Sequence, residues 1–249
     1  MAPLLAATVF PPRIPASVRA GAGRRGGTLY SLAQGFDAAL FEALRTDPGS
    51  GAAIVAWLRE ALQPWERAAA GRAVKVRDIR RTLLPDNRIP NLRAPVPWLT
   101  AELEGQTVLV RWGPTHGDLH GGNVLINGSG NAVVIDFGRV GRAPTAVDPI
   151  TLELSMALHP DSAFAGAGWP TIDQASNWHD LNKYLVHCPV AEFVEACRNW
   201  ARDVSRGDRE MDAIVYAYGL RQLLYSDSSL VLAEAFSAGA AGRIGTAAA

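Results

Sequence analysis

Residues 116–138 decide the fold and read HGDLHGGNVLINGSGNAVVIDFG. Two short apolar runs in this stretch, residues 124–126 and 132–135, are rich in β-branched side chains, and asparagine, serine and glycine lie between them. Glycine supplies the positive φ that tight turns need, and two apolar runs joined by such a turn are typical of a β-hairpin. The sequence therefore predicts a buried antiparallel hairpin here.

Strand pairing predicts which polar side chains meet at the open end of this hairpin. With a loop over residues 128–131, counting back along both strands places Asn123 opposite Asp136. Opposed residues of an antiparallel pair have Cβ atoms about 4.5–5.5 Å apart on one face. An amide oxygen and a carboxylate at that separation suit one hard cation such as Mg²⁺. Asp118 lies in the glycine-containing loop just before Asn123, so we expect it at the same end.

The spacing of these polar residues resembles a known catalytic arrangement. Aspartate, four residues, asparagine and then Asp-Phe-Gly is the order in protein kinases, where the first aspartate accepts the hydroxyl proton and the other two residues hold metal. The run HGDLHxxN followed by IDFG, and the run DFGRVGRA that starts at Asp136, are similar to the aminoglycoside phosphotransferase and choline kinase family of the protein kinase-like superfamily. The resemblance covers residues 115–155.

That resemblance implies an ATP- and Mg²⁺-dependent phosphotransferase that acts on a hydroxyl group of a small molecule. The implied site consists of the catalytic base Asp118, the Mg²⁺ and nucleotide ligands Asn123 and Asp136, and the bracing residues His116 and Asp148. Glu153 is the alternative to Asp148, because the sequence after Pro149 matches the family pattern only loosely.

Two histidines in the same stretch have a spacing that zinc sites use on helices. His116 and His120 are four residues apart, but Gly117, Gly121 and Gly122 disfavour a helix there. No further histidine or cysteine lies nearby in the sequence to complete a tetrahedral site. A zinc site is therefore not expected.

Composition limits the classes of function. The chain has 249 residues, 48% of them hydrophobic, which is enough for a sizeable core. Its 24 basic and 24 acidic residues balance, so no overall charge attracts nucleic acid or an anionic membrane surface. No apolar run approaches the length of a membrane span. The two cysteines, Cys188 and Cys197, stand in a helical pattern that disfavours a disulfide, which indicates a reducing compartment, and we expect a cytoplasmic, bacterial protein.

The predicted organisation is a leader and one large lobe. Residues 1–28 are rich in proline, glycine and arginine and are predicted to be a flexible leader. Residues 29–249 are predicted to form an α+β, protein kinase-like fold, a mostly helical C-terminal lobe around the catalytic hairpin. The predicted elements are helices over 32–43, 52–70, 97–104, 149–158, 190–204 and 209–238, a strand over 107–112 and a long loop over 160–177.

The sequence before the hairpin contains few of the features expected of the N-terminal lobe, or small lobe, of a kinase-like enzyme. A kinase-like enzyme needs a strand-rich N-terminal lobe with a glycine-rich loop over the phosphates and a lysine that contacts them. Residues 21–26 fit G-x-G-x-x-G, but no strand is predicted before them, and Lys75 is interpreted as a surface lysine. We therefore expect an N-terminal β-lobe that is missing or much reduced.

Three hypotheses stay open. The chain is an active phosphotransferase with a reduced small lobe, a catalytically impaired kinase-like binding or regulatory module with a protein partner, or a fragment of a longer kinase. The acceptor is not specified by the sequence. Residues that either line an acceptor cleft or are ordinary loop and helix positions are Trp169, Asp173, Trp178, Asp180 and Glu192.

Overall fold

The computed structural model describes residues 17–20, 27–30 and 35–246. The strands are β1 (Ser17–Ala20), β2 (Gly27–Tyr30), β3 (Phe36–Ala39), β4 (Ala70–Lys75), β5 (Thr107–Thr115), β6 (Val124–Asn127), β7 (Ala132–Val134) and β8 (Gly141–Pro144). The helices are α1 (Leu40–Thr46), α2 (Gly51–Arg67), α3 (Val76–Leu83), α4 (Ala101–Gly105), α5 (Val147–Leu158), α6 (Ile172–Ser176), α7 (Leu181–Tyr184), α8 (Ala191–Val204), α9 (Asp208–Gln222) and α10 (Leu230–Thr246).

Three small antiparallel sheets are present in the described part of the chain, and most of the remaining residues are helical. β1 pairs with β2, the second sheet has the order β3-β6-β7, and the third has the order β4-β5-β8. The second sheet contains the predicted hairpin. The third sheet leads into and out of the catalytic segment, because Thr115 at the end of β5 pairs with Gly141 at the start of β8. This mixture of elements is consistent with a kinase-like fold.

The hairpin is present, but its predicted register is wrong by one residue. Val124 pairs with Val134, and the backbone N–H of Ile135 donates to the Asn123 carbonyl over 2.9 Å. Asn123 therefore opposes Ile135 and not Asp136. Because side chains alternate along a strand, this shift changes which face each residue of the second strand occupies.

The loop of the hairpin explains the shift. The Asn127 side-chain oxygen accepts hydrogen bonds from the N–H groups of Ser129 and Asn131, and Gly130 has a φ of 77°. The Asn127 N–H also donates to the Asn131 carbonyl, so these two residues close a loop of three residues, where the sequence analysis assumed four. A three-residue hairpin loop with glycine in the left-handed conformation is a common type.

Strands replace two features predicted near the N-terminus. Residues 36–39 are a strand paired with β6, and α1 begins only at Leu40, so the helix predicted over 32–43 is wrong in its first half. β1 directly precedes residues 21–26 and pairs with β2 behind them, so the prediction that no strand leads into the glycine-rich motif is also wrong. Residues 21–26 and 1–16 lie outside the described residues, and the flexibility of the leader stays a prediction.

The segment after α2 contains a strand and a helix that the sequence pattern did not indicate. β4 is composed of alanine, glycine, valine and charged residues, and it pairs along its whole length with β5. α3 buries Val76, Ile79 and Leu83 on one side. The weak β-propensity of β4 is overridden by its pairing with the apolar β5.

The helical core is organised around α5, in which every residue is buried. The single helix predicted over 209–238 is instead two helices, α9 and α10, which break at residues 223–229 and pack closely. A Cβ on Gly219 would lie 2.9 Å from the Cβ of Ser237, and Arg243 pairs with Asp212 at 2.8 Å, so the two helices are antiparallel.

Two further features bear on the sequence expectations. Cys188 and Cys197 are both free thiols. Among the helices described, none combines the length and the apolarity that crossing a bilayer requires.

Candidate active site

The loop after β5 begins with a backbone turn that requires glycine. Gly117 has a φ of 75°, a conformation that side chains other than glycine rarely adopt. A Cβ at this position would lie 2.7 Å from the carbonyl oxygen of Arg139. The loop therefore packs directly on the backbone that follows Asp136. This contact explains why glycine stands where protein kinases have arginine.

Asp148 holds this turn from the first turn of α5. Its two carboxylate oxygens accept hydrogen bonds from the backbone N–H groups of His116, over 2.8 Å, and Gly117, over 2.9 Å. Burial raises the pKa of Asp148, while the His116 charge and the two N–H donors act in the opposite direction. Glu153, the alternative to Asp148, instead forms a buried ion pair with Arg198 at 2.6 Å. The carboxylate that contacts the loop is thus Asp148.

His116 connects the same loop to the second strand of the hairpin. Its ring is fully buried, and Nε2 forms a 2.9 Å hydrogen bond with the carbonyl oxygen of Ile135. The ring also contacts Phe137 edge to face, with the centroids 5.1 Å apart. His116 therefore contacts the residues on either side of Asp136.

Asp118 is held between two arginines. Its side chain is 16% exposed, and Oδ1 accepts a hydrogen bond from Nη2 of Arg221 over 2.7 Å. Oδ2 lies 3.5 Å from Nε of Arg139. Burial alone would raise the pKa of Asp118, but the charge and hydrogen bond of Arg221, with smaller contributions from Arg139 and His120, lower it overall. Asp118 is therefore ionised at neutral pH.

Asn123 and Asp136 lie side by side at the end of the hairpin. The buried amide of Asn123 donates from Nδ2 to the backbone carbonyl of Asp118 over 2.9 Å, which leaves Oδ1 for another partner. The exposed Asp136 follows Ile135, which is hydrogen-bonded to the Asn123 backbone. Asp136 has a left-handed conformation, with φ 57° and ψ 67°, and this turn ends the strand. The two residues are neighbours, although not as the directly opposed pair that was predicted.

The donor set of these two residues fits a hard cation that is also bound by phosphates. Mg²⁺ prefers oxygen ligands and commonly takes one or two from the protein and the rest from phosphates and water. Asn123 Oδ1 and the Asp136 carboxylate supply such oxygens. Within the described residues, no group of three or more histidine, cysteine or acidic side chains is placed to hold a metal ion without such help.

A stack of rings lies next to Asp118 and was not predicted. His120 stacks on His159 with 4.4 Å between ring centroids, and His159 lies 5.1 Å from the ring of Phe41. Burial, together with the nearby His159, lowers the pKa of His120 to about 4, so this ring is neutral at pH 7. Its Nδ1 accepts a hydrogen bond from the N–H of Gly122. The stack thus supports the glycine-containing part of the loop.

The comparison with protein families agrees with this geometry. The model of the phosphotransferase enzyme family (APH) matches residues 13–169, which is more than half of the chain and includes the whole motif. The chain belongs to this family. Its members are phosphotransferases of the kinase-like type, as the sequence resemblance implied. The match starts inside the segment predicted as a leader. No similar sequence is found among curated proteins.

Two of the residues predicted to line an acceptor cleft of the phosphotransferase belong to its core. Trp169 and Trp178 are 3% and 1% exposed, and their Nε1 atoms donate to the Tyr184 carbonyl and the Glu153 carboxylate. Of the two alternatives given for these residues, the structure supports ordinary packing positions for both, because their rings fill the space between helices.

The three acidic candidates do not surround Asp118. Asp180 caps α7, Asp173 lies in the first turn of α6, and Glu192 is exposed in the first turn of α8. The end of α6 contacts Arg243, which pairs with Asp212 on α9. Asp212 precedes Arg221 by nine residues, or about 13 Å of helix. Asp173 and Asp180 are thus near the opposite end of α9 from Asp118.

Lys75 is exposed and distant from the motif. It ends β4 and pairs with Thr107 at the start of β5, whereas the catalytic loop follows Thr115 at the other end of β5. Eight strand residues span about 26 Å. Lys75 is therefore a surface lysine, as the sequence analysis interpreted it. Lys183, the other lysine of the phosphotransferase, lies on α7.

Proposed function

We propose that this member of the phosphotransferase family transfers the γ-phosphoryl group of ATP to a hydroxyl group of a small molecule in a Mg²⁺-dependent reaction. One observation carries the proposal: the ionised Asp118 carboxylate lies at the same end of the hairpin as two side chains with available oxygens, Asn123 and Asp136. Family membership supports the class of reaction. The geometry supports the assignment of roles.

Asp118 acts as the base in this proposal. Because Arg221 occupies Oδ1, Oδ2 is the atom that orients the acceptor hydroxyl and takes its proton. A carboxylate of lowered pKa is a weak base, which suits a loose transition state in which the phosphoryl group has largely left ADP before the hydroxyl oxygen bonds to it. The main contributions of the protein are then orientation and electrostatics.

Asn123 and Asp136 hold the cation in this proposal. When bound, Mg²⁺ would offset the negative charge that develops on the phosphate oxygens. His116 and Asp148 keep the loop and the second strand in register, so that the proton acceptor and the oxygen ligands stay in place. The proposal specifies the acceptor only by its hydroxyl group, because the acidic residues considered for an acceptor cleft do not face Asp118.

A second candidate is a kinase-like binding module with impaired transfer. The position of Lys75, about 26 Å of strand away from the catalytic loop, favours it, because a kinase-like enzyme normally contacts the α- and β-phosphates with a lysine. A reduced N-terminal lobe would agree with this candidate. A small lobe supplied by a partner or by additional sequence would restore the first.

Calorimetric titration of ATP with and without Mg²⁺ tests the proposal first. We expect binding only when Mg²⁺ is present, at least tenfold weaker binding by Asp136→Asn, and unchanged binding by Asp118→Asn. Turnover is then measured with choline, inositol and glycerate as cationic, neutral and anionic hydroxyl compounds, and with water as the default acceptor. Asp118→Asn should abolish it. Asp173→Asn, which alters an exposed carboxylate away from the motif, is the matched control.

The outcomes separate the candidates. Absence of wild-type binding at several millimolar Mg·ATP would overturn the phosphotransferase candidate. Binding without phosphoryl transfer would support the binding module. Loss of nucleotide binding in Asp118→Asn, with binding intact in the control, would contradict the roles assigned to the motif.

A further inference from the structure

A buried arginine from a distant part of the chain contacts the base. Arg221 lies in the last turn of α9, 103 residues after Asp118, and its side chain is 8% exposed. Its Nη2 donates to Asp118 Oδ1 over 2.7 Å. Its Nε and Nη1 atoms are buried, and the Tyr225 side chain interacts with the guanidinium. Asp118 is the carboxylate with which it forms an ion pair in the described structure.

Burying the Arg221–Asp118 ion pair costs free energy of folding. Removing a guanidinium and a carboxylate from water carries a large desolvation cost, and a buried ion pair can often be replaced by apolar side chains without loss of stability. The burial of this pair is therefore weak evidence for a role in folding stability.

The geometry of the pair has a direct effect on the carboxylate. Arg221 engages Oδ1 over 2.7 Å, while Oδ2 lies 3.5 Å from Nε of the half-exposed Arg139. The two oxygens of Asp118 are thus made unequal. One is fixed by a buried donor, and the other has the longer contact with a half-exposed arginine.

We infer that Arg221 is a positioning residue for Asp118, which holds Oδ1, balances the buried carboxylate charge and thereby assigns Oδ2 to the acceptor hydroxyl. This inference rests on the proposed function. Arg221 itself does not touch the reacting atoms. It acts on the reaction through the orientation of the base.

The other titratable groups around the pair do not replace Arg221. Asp118 also interacts with Arg139 and His120, and more weakly with His159, Asp148 and Tyr218, while Tyr218 and Tyr225 are the phenols near Arg221. Burial favours the neutral form of both His120 and His159. Arg139 is half exposed, so solvent screens its charge. Without Arg221, burial would dominate and the pKa of Asp118 would rise.

Three variants test the inference. Arg221→Met removes the charge and keeps most of the apolar length, Arg221→Lys keeps the charge, and Arg243→Met removes an arginine that pairs with Asp212 elsewhere on the same helix pair. Binding of Mg·ATP is measured by calorimetry for each variant. We expect it to stay within twofold of the wild type in all three, because Arg221 contacts Asp118 and not the residues proposed to hold the cation.

Kinetics provide the second measurement. In Arg221→Met, kcat should fall at least tenfold, while KM for Mg·ATP changes less than twofold. Arg221→Lys should recover part of kcat, because it restores a charged donor. Arg243→Met should retain the wild-type kcat.

Each outcome decides a different question. A folded Arg221→Met with an unchanged kcat overturns the inference, and if that variant does not fold, an unchanged kcat in Arg221→Gln overturns it. Absence of Mg·ATP binding by the wild type overturns the proposed function, and the inference falls with it. A loss of Mg·ATP binding in Arg221→Met as large as its loss of kcat assigns the pair to the architecture of the loop and overturns its role in positioning a base.

Discussion

At the scale of single residues, the site depends on backbone conformations that most side chains avoid. Gly117 and Asp136 both have positive φ, at the two points where the chain enters and leaves the motif. Aspartate tolerates the left-handed conformation better than most residues, whereas Gly117 also has no room for a Cβ beside the Arg139 carbonyl. The same few positions of the motif, among them Gly117 and Asp136, therefore determine both its chemistry and its backbone geometry.

Gly117→Ala should destabilise the protein by about 2 kcal/mol, because left-handed strain adds to the close contact with the Arg139 carbonyl. Thermal or urea unfolding measures this effect. Gly128→Ala is the matched control, since a Cβ on Gly128 meets no atom within 4 Å, and we expect it to change stability by less than about 0.5 kcal/mol. Equal stability of the two variants would contradict this account of the turn.

At the scale of elements, α9 connects the third sheet to the base. Glu210 in its first turn accepts hydrogen bonds from the backbone N–H groups of Arg111 on β5, over 3.2 Å, and Arg206, over 2.7 Å. Arg221 in its last turn contacts Asp118. One helix thus bridges the strand that enters the catalytic loop and the carboxylate within that loop.

Glu210 should make stability depend on pH. Burial, opposed by the two backbone donors, raises its pKa from 4.5 to about 7. The folded state therefore binds a proton that the unfolded state has already released, and the stability from this group is lost as pH rises from about 4.5 to about 7. Relative to the wild type, Glu210→Gln should gain up to about 3 kcal/mol between pH 5 and pH 8.

Urea unfolding at both pH values measures this difference. Glu192→Gln, which alters an exposed carboxylate in the first turn of α8, should follow the wild type at both. If the stabilities of the wild type and Glu210→Gln change in parallel with pH, Glu210 is not the titrating group.

Helices and strands that depend on local sequence patterns were predicted, whereas those that depend on long-range pairing were missed. The helices predicted over 52–70, 149–158 and 190–204 and the strand over 107–112 are present with shifted ends, because apolar periodicity and β-branched runs are local properties. β3 and β4 were missed because pairing with β6 and β5 overrides weak local preferences. The break between α9 and α10 was missed because apolar residues continue on both sides of it.

At the scale of the whole molecule, a buried charged cluster joins two helices and the turn between α6 and α7. Arg198 on α8 pairs with Glu153 on α5, and both side chains are almost fully buried. The Arg198 guanidinium also lies 3.5 Å from the ring centroid of Trp178, whose Nε1 donates to Glu153. This cluster holds α5, the helix that carries Asp148, against the C-terminal half of the chain.

Arg198→Met should cost about 3–5 kcal/mol of unfolding free energy, because it leaves the Glu153 carboxylate buried without its counter-charge. The double variant Glu153→Leu/Arg198→Met should recover part of this loss, since no charge then remains buried. Arg59→Met removes an exposed pair with Asp203 and should cost less than about 1 kcal/mol. Urea unfolding compares the four proteins. An Arg198→Met variant as stable as Arg59→Met would contradict the structural role of the cluster.

The sequence by itself determined the hairpin, the family resemblance and the identity of the motif residues, because these depend on short-range spacing and on residue chemistry within one continuous segment. Tertiary structure alone decided the Asn123–Ile135 register, the choice of Asp148 over Glu153 as the loop contact, and the pairing of Arg221 with Asp118. The reason is physical. Asn127 selected the loop length through side-chain hydrogen bonds, and the two acidic residues and Arg221 acquired their roles from burial and from partners up to 103 residues away.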